Sequence, residues 1–332
     1  DNYWGDRAPF QRVLYRMITN DAARTAALLA GDVEFIDQVP TSDLAKLRQD
    51  NRIALSETVG LRLIFLGLDH LRQANENSPF ITDNEGKPLG KNPLQDVRVR
   101  RALSMAIDRK AIVDRVMEGA AVPAGQFLPE GVYTHVPSVT PPAFDPDTAR
   151  RLLAEAGYNA QRPLTLKVGI SNSGSGQMLP LPMNEFLQQS LQQNCGVRVN
   201  FDVVEWNTLL AALRFPPDQP AWLGADAVNI SLYSSDASAF ARWFLSSNFA
   251  PRGSNNGHWK DDQFDAAFAE LERERDPAKI SQLLATAHAR LVDNPPWLWI
   301  VHDLNPRAMS RRVTGFTSAQ SWFQDLTTID LR

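Results

Sequence analysis

The chain has a single cysteine, Cys195, among its 332 residues. No disulfide can therefore form within the chain, although one free cysteine leaves both reducing and oxidising compartments open. The sequence also has no run of 18 or more apolar residues, which is the length that a membrane-spanning helix needs. Neither sign of charge dominates, because the net charge is −4. The composition thus offers no broad basic surface for nucleic acid or anionic lipid.

Sequence patterns that mark metal and catalytic sites are missing as well. The five histidines are isolated from one another, and neither HExxH nor CxxC occurs. The chain also lacks a GxSxG nucleophile elbow, and its Gly-rich stretch from Ser171 to Gln177 lacks the lysine of a phosphate-binding loop. We therefore predict no cofactor and no metal, and we recognise no catalytic constellation in the sequence.

Strand patterns alternate with capped helix patterns along most of the chain, which predicts an α/β architecture. Asp96 and Asp108 are predicted N-caps, and Asp145 followed by Pro146 marks a further helix start. Further helices are predicted at 21–30, 42–48, 206–213, 238–245, 261–273 and 277–292, with one more ending at 194. Strands are predicted at 13–19, 33–36, 53–58, 63–68, 164–170, 197–203, 227–232 and 297–301, and a turn-rich loop at 75–94.

Several long motifs resemble one known family. DVRVRRALSMAIDRKAIVDRVMEG, which starts at Asp96, and DPDTARRLLAEAGY, which ends at Tyr158, resemble the solute-binding proteins of oligopeptide, dipeptide and nickel ABC importers, family 5. DNYWG, ARTAALLAGDVEFID, GVRVNFDVVEW and NPPWLWIVH resemble further family segments in the same order. The resemblance covers essentially the whole chain. It implies a periplasmic binding protein-like type II fold of cluster C.

The resemblance also implies a domain organisation. Family members are longer, so we expect a C-terminal portion with an incomplete first lobe and a complete second α/β lobe. Residues 1–66 and 303–332 would belong to lobe I, and residues 67–302 to lobe II. The chain would cross between lobes near Leu66 to Asp69 and Val301 to Asp303. The predicted hinge residues are Leu66, Asp69, Val301, His302 and Asp303.

The function implied by the resemblance is non-catalytic. A periplasmic or otherwise extracytoplasmic monomer would close around an oligopeptide or related polar solute and deliver it to ABC permease subunits. Nucleic acid and a membrane span in this chain are not expected. Because much of lobe I would be absent, we expect this chain alone to bind ligand weakly or not at all.

The segment from Val228 to Phe244 resembles the ligand site of peptide-binding members. In those members a Trp precedes an Asp-Tyr pair by three residues, and the Asp holds the α-ammonium group of the peptide. Here Asn229 stands in place of the Trp and Leu232 in place of the Asp, directly before Tyr233. Asp236 lies close by and is either a substitute anchor or a helix N-cap.

A second charged anchor is also missing. Dipeptide-binding relatives place an Arg in the loop that matches Ser171 to Gln177, where this chain has only Ser, Asn, Gly and Gln. Loss of both anchors favours a longer peptide held by backbone contacts, or an uncharged polar ligand, because an unpaired buried charge is costly. Trp206 resembles the Trp of the family's Glu-Trp at the cleft edge. The predicted ligand-binding residues are Ser173, Ser175, Gln177, Trp206, Asn229, Ser231, Leu232, Tyr233, Ser234 and Asp236.

Two other functions stay open from the sequence. The same fold can act as the ligand-sensing domain of a regulator, fused to a DNA-binding or signalling module. A hydrolase that uses carboxylates in the cleft is the other alternative.

Overall fold

The computed structural model describes residue 4 and residues 9–72, 91–171, 177–236 and 241–332. Most of the predicted loop at 75–94 and the start of the predicted helix at 238–245 lie outside these residues. The predicted ligand-binding residues Ser173 and Ser175 lie outside them as well.

Helices form where the capping signals predict them. Asn20, Asp96 and Asp145 each accept a backbone N–H bond at the start of a helix, and Gly31 and Gly196 end two helices in the left-handed conformation. Among the described residues no helix is long and apolar enough to cross a bilayer. The helices are α1 (Asp21–Ala30), α2 (Thr41–Gln49), α3 (Val97–Met105), α4 (Arg109–Ala111), α5 (Pro146–Glu155), α6 (Pro180–Cys195), α7 (Trp206–Ala212), α8 (Asp262–Leu271) and α9 (Pro277–Asp293).

The strands confirm most of the predicted ones to within a few residues. They are β1 (Phe35–Ile36), β2 (Ile53–Ser56), β3 (Arg62–Leu68), β4 (Ala121–Pro123), β5 (Thr165–Ser171), β6 (Arg198–Val204), β7 (Ala227–Tyr233), β8 (Trp297–Asp303), β9 (Arg307–Ser310), β10 (Val313–Thr314) and β11 (Asp330–Leu331). The predicted strand at 13–19 is wrong for this structure. A strand needs a partner, none of the described strands pairs with it, and Tyr15 and Met17 are exposed.

Three sheets organise the described strands. The large sheet has the order β4-β8-β3-β7-β5-β6, a smaller sheet has the order β1-β9-β2, and β10 pairs with β11. In the large sheet β7, β5 and β6 run parallel to one another, whereas β3 is antiparallel to both of its neighbours. This mixed sheet is the α/β architecture that the sequence predicts.

Apolar side chains cover both faces of the large sheet. Along β3, Ile64 and Leu66 join a cluster with α3, α5 and α6, while Leu63 and Phe65 join a second cluster on the opposite face. The alternation follows from the two-residue period of a strand. We call the second one the aromatic cluster; its large rings are Phe65, Phe127, Phe244, Trp259, Phe264, Phe268, Trp297 and Trp299.

The chain passes between the large and the three-stranded sheets through two short segments. Residues 57–61 join β2 to β3, and residues 304–306 join β8 to β9. The two segments lie side by side, because Thr58 N–H donates to the Leu304 carbonyl at 2.9 Å and Gly60 N–H donates to the Asp303 carbonyl at 2.7 Å. The predicted crossing near Leu66 to Asp69 lies further along the chain than residues 57–61, and which of these two segments is a hinge stays a prediction. The predicted crossing falls at the end of β3, which is paired with strands on both sides.

Candidate functional site

The carboxyl ends of the parallel strands bring several of the described ligand-binding candidates to one edge of the large sheet. The loop that contains Gln177 follows β5, Trp206 follows β6, and Ser234 to Asp236 follow β7. The chain leaves β5 towards β6 but leaves β7 towards β8, on the other side of the sheet. In such sheets a ligand crevice forms between strands whose connections leave in opposite directions. The topology thus favours a site between β5 and β7.

The pairing of β5 with β7 is consistent with a crevice. Val168 pairs with Ala227 and Gly169 pairs with Val228. Both strands continue beyond these pairs, to Ser171 and Tyr233, but the pairing does not continue among the described residues. The two carboxyl ends therefore separate at the level of Asn229.

An amide cluster lies where the strands separate, and it consists of Asn229, Gln177 and Asn184. The Asn229 Oδ1 accepts from Gln177 Nε2 at 2.9 Å and from Asn184 Nδ2 at 2.8 Å. The Asn229 Nδ2 donates to the Phe65 carbonyl at 3.0 Å. Asn229 and Asn184 are buried, and Gln177 is half-buried. Asn229 thus fastens β7 to β3 and orients Gln177, and contact between ligand and Asn229 stays a prediction.

Replacing Asn229 with leucine is expected to lower the free energy of unfolding by about 2–4 kcal/mol. The Phe65 carbonyl and two amide donors lose their bonds to Asn229, and a fully buried loss of this kind costs roughly 1–3 kcal/mol. The total stays below the sum of three such losses, because the Asn184 amide still donates to the Pro180 carbonyl at 2.7 Å and Gln177 is half-buried. Urea denaturation measures the loss. Asn207→Leu is the matched control, because Asn207 is exposed and its amide donates to Glu205 within the same helix start. A similar loss in both variants would show that the amide cluster is not stabilising.

Leu232 points to the opposite face of β7 from Asn229. Ile230 and Leu232 both pack against the aromatic cluster, as does the half-buried Trp206. Leu232 therefore belongs to an apolar wall in this structure, and the residues described around it in the aromatic cluster include no carboxylate to hold an ammonium group. Ser231, which pairs with Ile64 of β3, is buried.

Tyr233 ends β7 against the C-terminal part of the chain. Its ring stacks on Trp322, with 5.7 Å between centroids and 7° between planes. The Arg62 guanidinium lies 4.9 Å from the centre of the same Trp322 ring. Beyond Tyr233, the buried Ser234 donates to the Asp236 carbonyl at 3.0 Å, and Asp236 itself is exposed. The helix that Asp236 would cap begins outside the described residues, so its N-cap role stays a prediction.

The predicted hinge residues are buried and bonded. Asp303 pairs with Arg62 at 3.0 Å, and the two ring nitrogens of His302 face the carbonyls of Arg62 and Gln126 at 3.1 and 3.3 Å. Burial lowers the pKa of His302 to about 4. Burial raises the pKa of Asp303, although Arg62 acts against this shift. These contacts join β3 and β8 directly beside residues 304–306.

A cavity of about 920 Å³ lies between the part of the chain that carries the small sheets and the start of α6. Residues 10–19 (apart from Gln11), 32–41 and several C-terminal residues line one side, and Gln177–Pro182 line the other. The amide cluster thus contributes Gln177 to this cavity. Within the described ranges, no group of three or more His, Cys, Asp or Glu side chains could hold a metal ion.

Sequence reasoning missed three residues of this region: Asn184, Arg62 and Trp322. Asn184 is a polar residue on the buried side of α6, next to Met183, and that mismatch was the available signal. Trp322 carried no local signal, because its contact with Tyr233 joins residues that are far apart in the chain.

Comparisons with known proteins agree with this architecture. The family model described as bacterial extracellular solute-binding proteins, family 5 Middle, matches residues 1–252. Heme-binding protein A of Haemophilus influenzae is 26% identical over 324 residues, which cover 96% of this chain and 53% of that protein. The dipeptide-binding protein of Escherichia coli is 24% identical over 322 residues, which cover 95% of this chain and 54% of that protein. The chain thus spans about half the length of these curated relatives.

The solved structures show the same fold. The periplasmic binding protein DppA from Helicobacter pylori, in complex with the peptide STSA, superposes with a TM-score of 0.79 at 18% identity. The superposition covers 99% of this chain and 58% of that one. The mixed large sheet and its topology are therefore those of a type II periplasmic binding protein. The chain belongs to the bacterial extracellular solute-binding proteins of family 5.

Proposed function

We propose that the protein is the substrate-binding component of an ABC importer. It captures an oligopeptide or a related polar solute between its two lobes and delivers it to permease subunits outside the cytoplasm. The observation that carries this proposal is the position of the predicted site residues near the ends of β5 and β7, where the strand connections leave in opposite directions. One of these residues, Gln177, lines the 920 Å³ cavity. Family membership and the names of the relatives, which are binding proteins, support a non-catalytic role.

Lobe closure is the mechanism that the connections support. Hinges in such proteins are a few residues that absorb the change in backbone angles. Residues 57–61 and 304–306 are the short links between the large and three-stranded sheets, and hydrogen bonds hold them together as a pair. We place the hinge there. Ligand contacts to both lobes would then favour the closed state, in proportion to the difference in affinity for the two states.

The chemistry near β7 favours an uncharged or backbone-mediated contact at the position of Leu232. Burying an ammonium group against the aromatic cluster without a partner would be costly. Asp236 is exposed and remains the nearest predicted acidic anchor. We propose that a peptide ligand is held through backbone bonds along β5 and β7, with Asp236 at its amino end.

A thermal-shift screen of the full-length protein, as expressed from its gene, tests this function. Oligopeptides are expected to raise the melting temperature more than sugars, polyamines or metal chelates. A ligand at one hundred times its Kd adds about 2.7 kcal/mol to the free energy of unfolding. N-acetylation of the peptide and Asp236→Asn should each weaken binding by about fivefold, as expected for one exposed charge pair.

One result would contradict a peptide cargo, and another would contradict the binding role itself. Stabilisation by non-peptide solutes alone would keep the receptor but change its cargo. Turnover of a peptide or glycoside that is abolished by Asp236→Asn would favour a cleft hydrolase instead.

A further inference from the structure

Residues 318–322 lie across the two segments that link the sheets, and we call these residues the strap. The strap follows β10 in the chain and contains neither helix nor strand. Its backbone and side chains contact the three-stranded sheet, the linking segments at 57–61 and 304–306, and the large sheet. A change in the angle between the two sheets would therefore alter the contacts of the strap.

The three-stranded sheet holds the strap on one side. The guanidinium of Arg307, a buried residue of β9, donates to the Ala319 carbonyl at 3.3 Å and to the Ser321 carbonyl at 3.0 Å. The buried Asn305 donates its side-chain amide to the same Ser321 carbonyl at 2.9 Å. A guanidinium presents its donors in a rigid, planar fork. These bonds therefore fix the path of the strap backbone relative to β9.

Gln320 joins the first linking segment to the large-sheet side. Its carbonyl accepts the Leu61 N–H at 2.8 Å, and its side-chain amide donates to the Val59 carbonyl at 3.1 Å and to the Glu130 carbonyl at 2.9 Å. Glu130 lies in the loop between β4 and α5, and the same loop contributes Phe127 to the aromatic cluster on the large sheet. One side chain thus bridges the linking segment and the large-sheet side.

The Trp322 ring lies against the large sheet where β3 begins and β7 ends. Arg62 and Tyr233 are cross-strand partners at this place. The Tyr233 ring stacks on Trp322, and the Arg62 guanidinium lies 4.9 Å from the centre of the Trp322 ring. Ring stacking and a cation over a ring both depend on mutual orientation. Rotation of one sheet relative to the other would carry Trp322 away from this pair, because the strap backbone is bound to the three-stranded sheet.

We propose that the strap sets the preferred angle between the large and the three-stranded sheets, with Trp322 as the positioning residue that keeps Tyr233 in this arrangement. The proposal rests on the hinge of the proposed function and deepens it, because it names the contacts that oppose movement about residues 57–61 and 304–306. Ligand affinity then depends on the strap, since it is set partly by the population of the binding-competent arrangement.

Double electron–electron resonance between one spin label on each side tests the proposal. Ala45→Cys on α2 and Gln282→Cys on α9 place the labels at exposed positions of helices that pack against the three-stranded and the large sheet, and Cys195→Ser removes the chain's own thiol. The ligand-free chain should give one main distance between the labels. Trp322→Leu is expected to raise the population at other distances about fivefold, as the loss of one aromatic pair allows.

Three further variants separate the strap from a general loss of structure. Trp322→Phe keeps a ring against Tyr233 and should retain most of the main population. Gln320→Leu breaks the bridge to Glu130 and should change the distances in the same direction as Trp322→Leu. Phe323→Leu is the matched control, because the Phe323 side chain is 72% exposed, and it should leave the distances unchanged.

Unchanged distances in folded Trp322→Leu and Gln320→Leu would overturn the proposal, and so would equal changes in Trp322→Leu and Phe323→Leu. Circular dichroism establishes folding, and Gln320→Leu decides the outcome if Trp322→Leu does not fold. The measurement contains no ligand, so a negative result rejects the strap and leaves the transport function to the thermal-shift screen. A screen that finds no ligand would contradict the transport function and not the strap.

Discussion

Replacing Arg72 with methionine is expected to lower the free energy of unfolding by about 3–5 kcal/mol, because the change leaves two buried carboxylates without their cation. The Arg72 guanidinium bonds Asp69, and it donates to Asp226 Oδ1 at 2.8 Å and to the Ala225 carbonyl at 2.7 Å. All three charged side chains are almost fully buried. They join the end of β3 to the start of β7, so the loss falls on the centre of the large sheet.

The pH dependence of the Arg72→Met variant gives a second readout. Burial raises the pKa of Asp226 to about 7 even with Arg72 present. Removal of the cation should raise it further. A carboxyl whose folded pKa is raised favours the folded state while it is protonated, and ionisation removes that contribution as the pH rises. The variant should therefore lose more stability at pH 8 than at pH 6.

Arg151→Met is the matched control for Arg72→Met. Arg151 pairs with Glu155 at 2.6 Å, but both side chains are largely exposed on α5. Exposed pairs of this kind contribute about 0.3–0.5 kcal/mol. Urea denaturation of both variants at pH 7 makes the comparison. Equal losses would mean that the Arg72 cluster contributes no more than a surface ion pair.

Between pH 7 and pH 5, two buried histidines are each expected to remove about 2 kcal/mol of stability. Burial lowers the pKa of His302 and of His288 to about 4. A histidine whose folded pKa is lowered binds its proton first in the unfolded chain. Its contribution is therefore complete above the unfolded pKa of about 6.5 and is lost as the pH falls towards 4.

The measurement is the difference between the chain and its His302→Gln variant at each pH. The raised pKa of Asp226 acts in the opposite sense over the same range and cancels part of the slope of the unmodified chain. A neutral glutamine cannot take up the proton. Between pH 7 and pH 5, the His302→Gln variant should therefore lose about 2 kcal/mol less stability than the unmodified chain loses. If the two proteins lose stability in parallel from pH 7 to pH 5, the histidine does not resist protonation in the fold.

The sequence alone determined most of the local structure where a local signal existed, with the strand predicted at 13–19 as an exception. Asp96, Asp145 and Gly196 placed helix ends because capping depends on residues within one turn of the helix. Strand alternation placed β5 and β6 for the same reason, since the period of two is a local property. The family resemblance added the fold, because it joined these segments in one known order.

Only the tertiary structure decided which contacts the predicted site residues make. Asn229 and Leu232 are three residues apart, yet one bonds Gln177 and the other packs against aromatic rings, because strand geometry sends them to opposite faces. The stacking of Tyr233 on Trp322 brings together residues that no sequence window contains. The proposed hinge at 57–61 differs from the predicted one because β3 pairs with strands on both sides, which is a long-range property. Interactions between residues close in sequence therefore determine where helices and strands form. Which side chains are buried, and which residues they contact, depends on segments that are far apart in the chain.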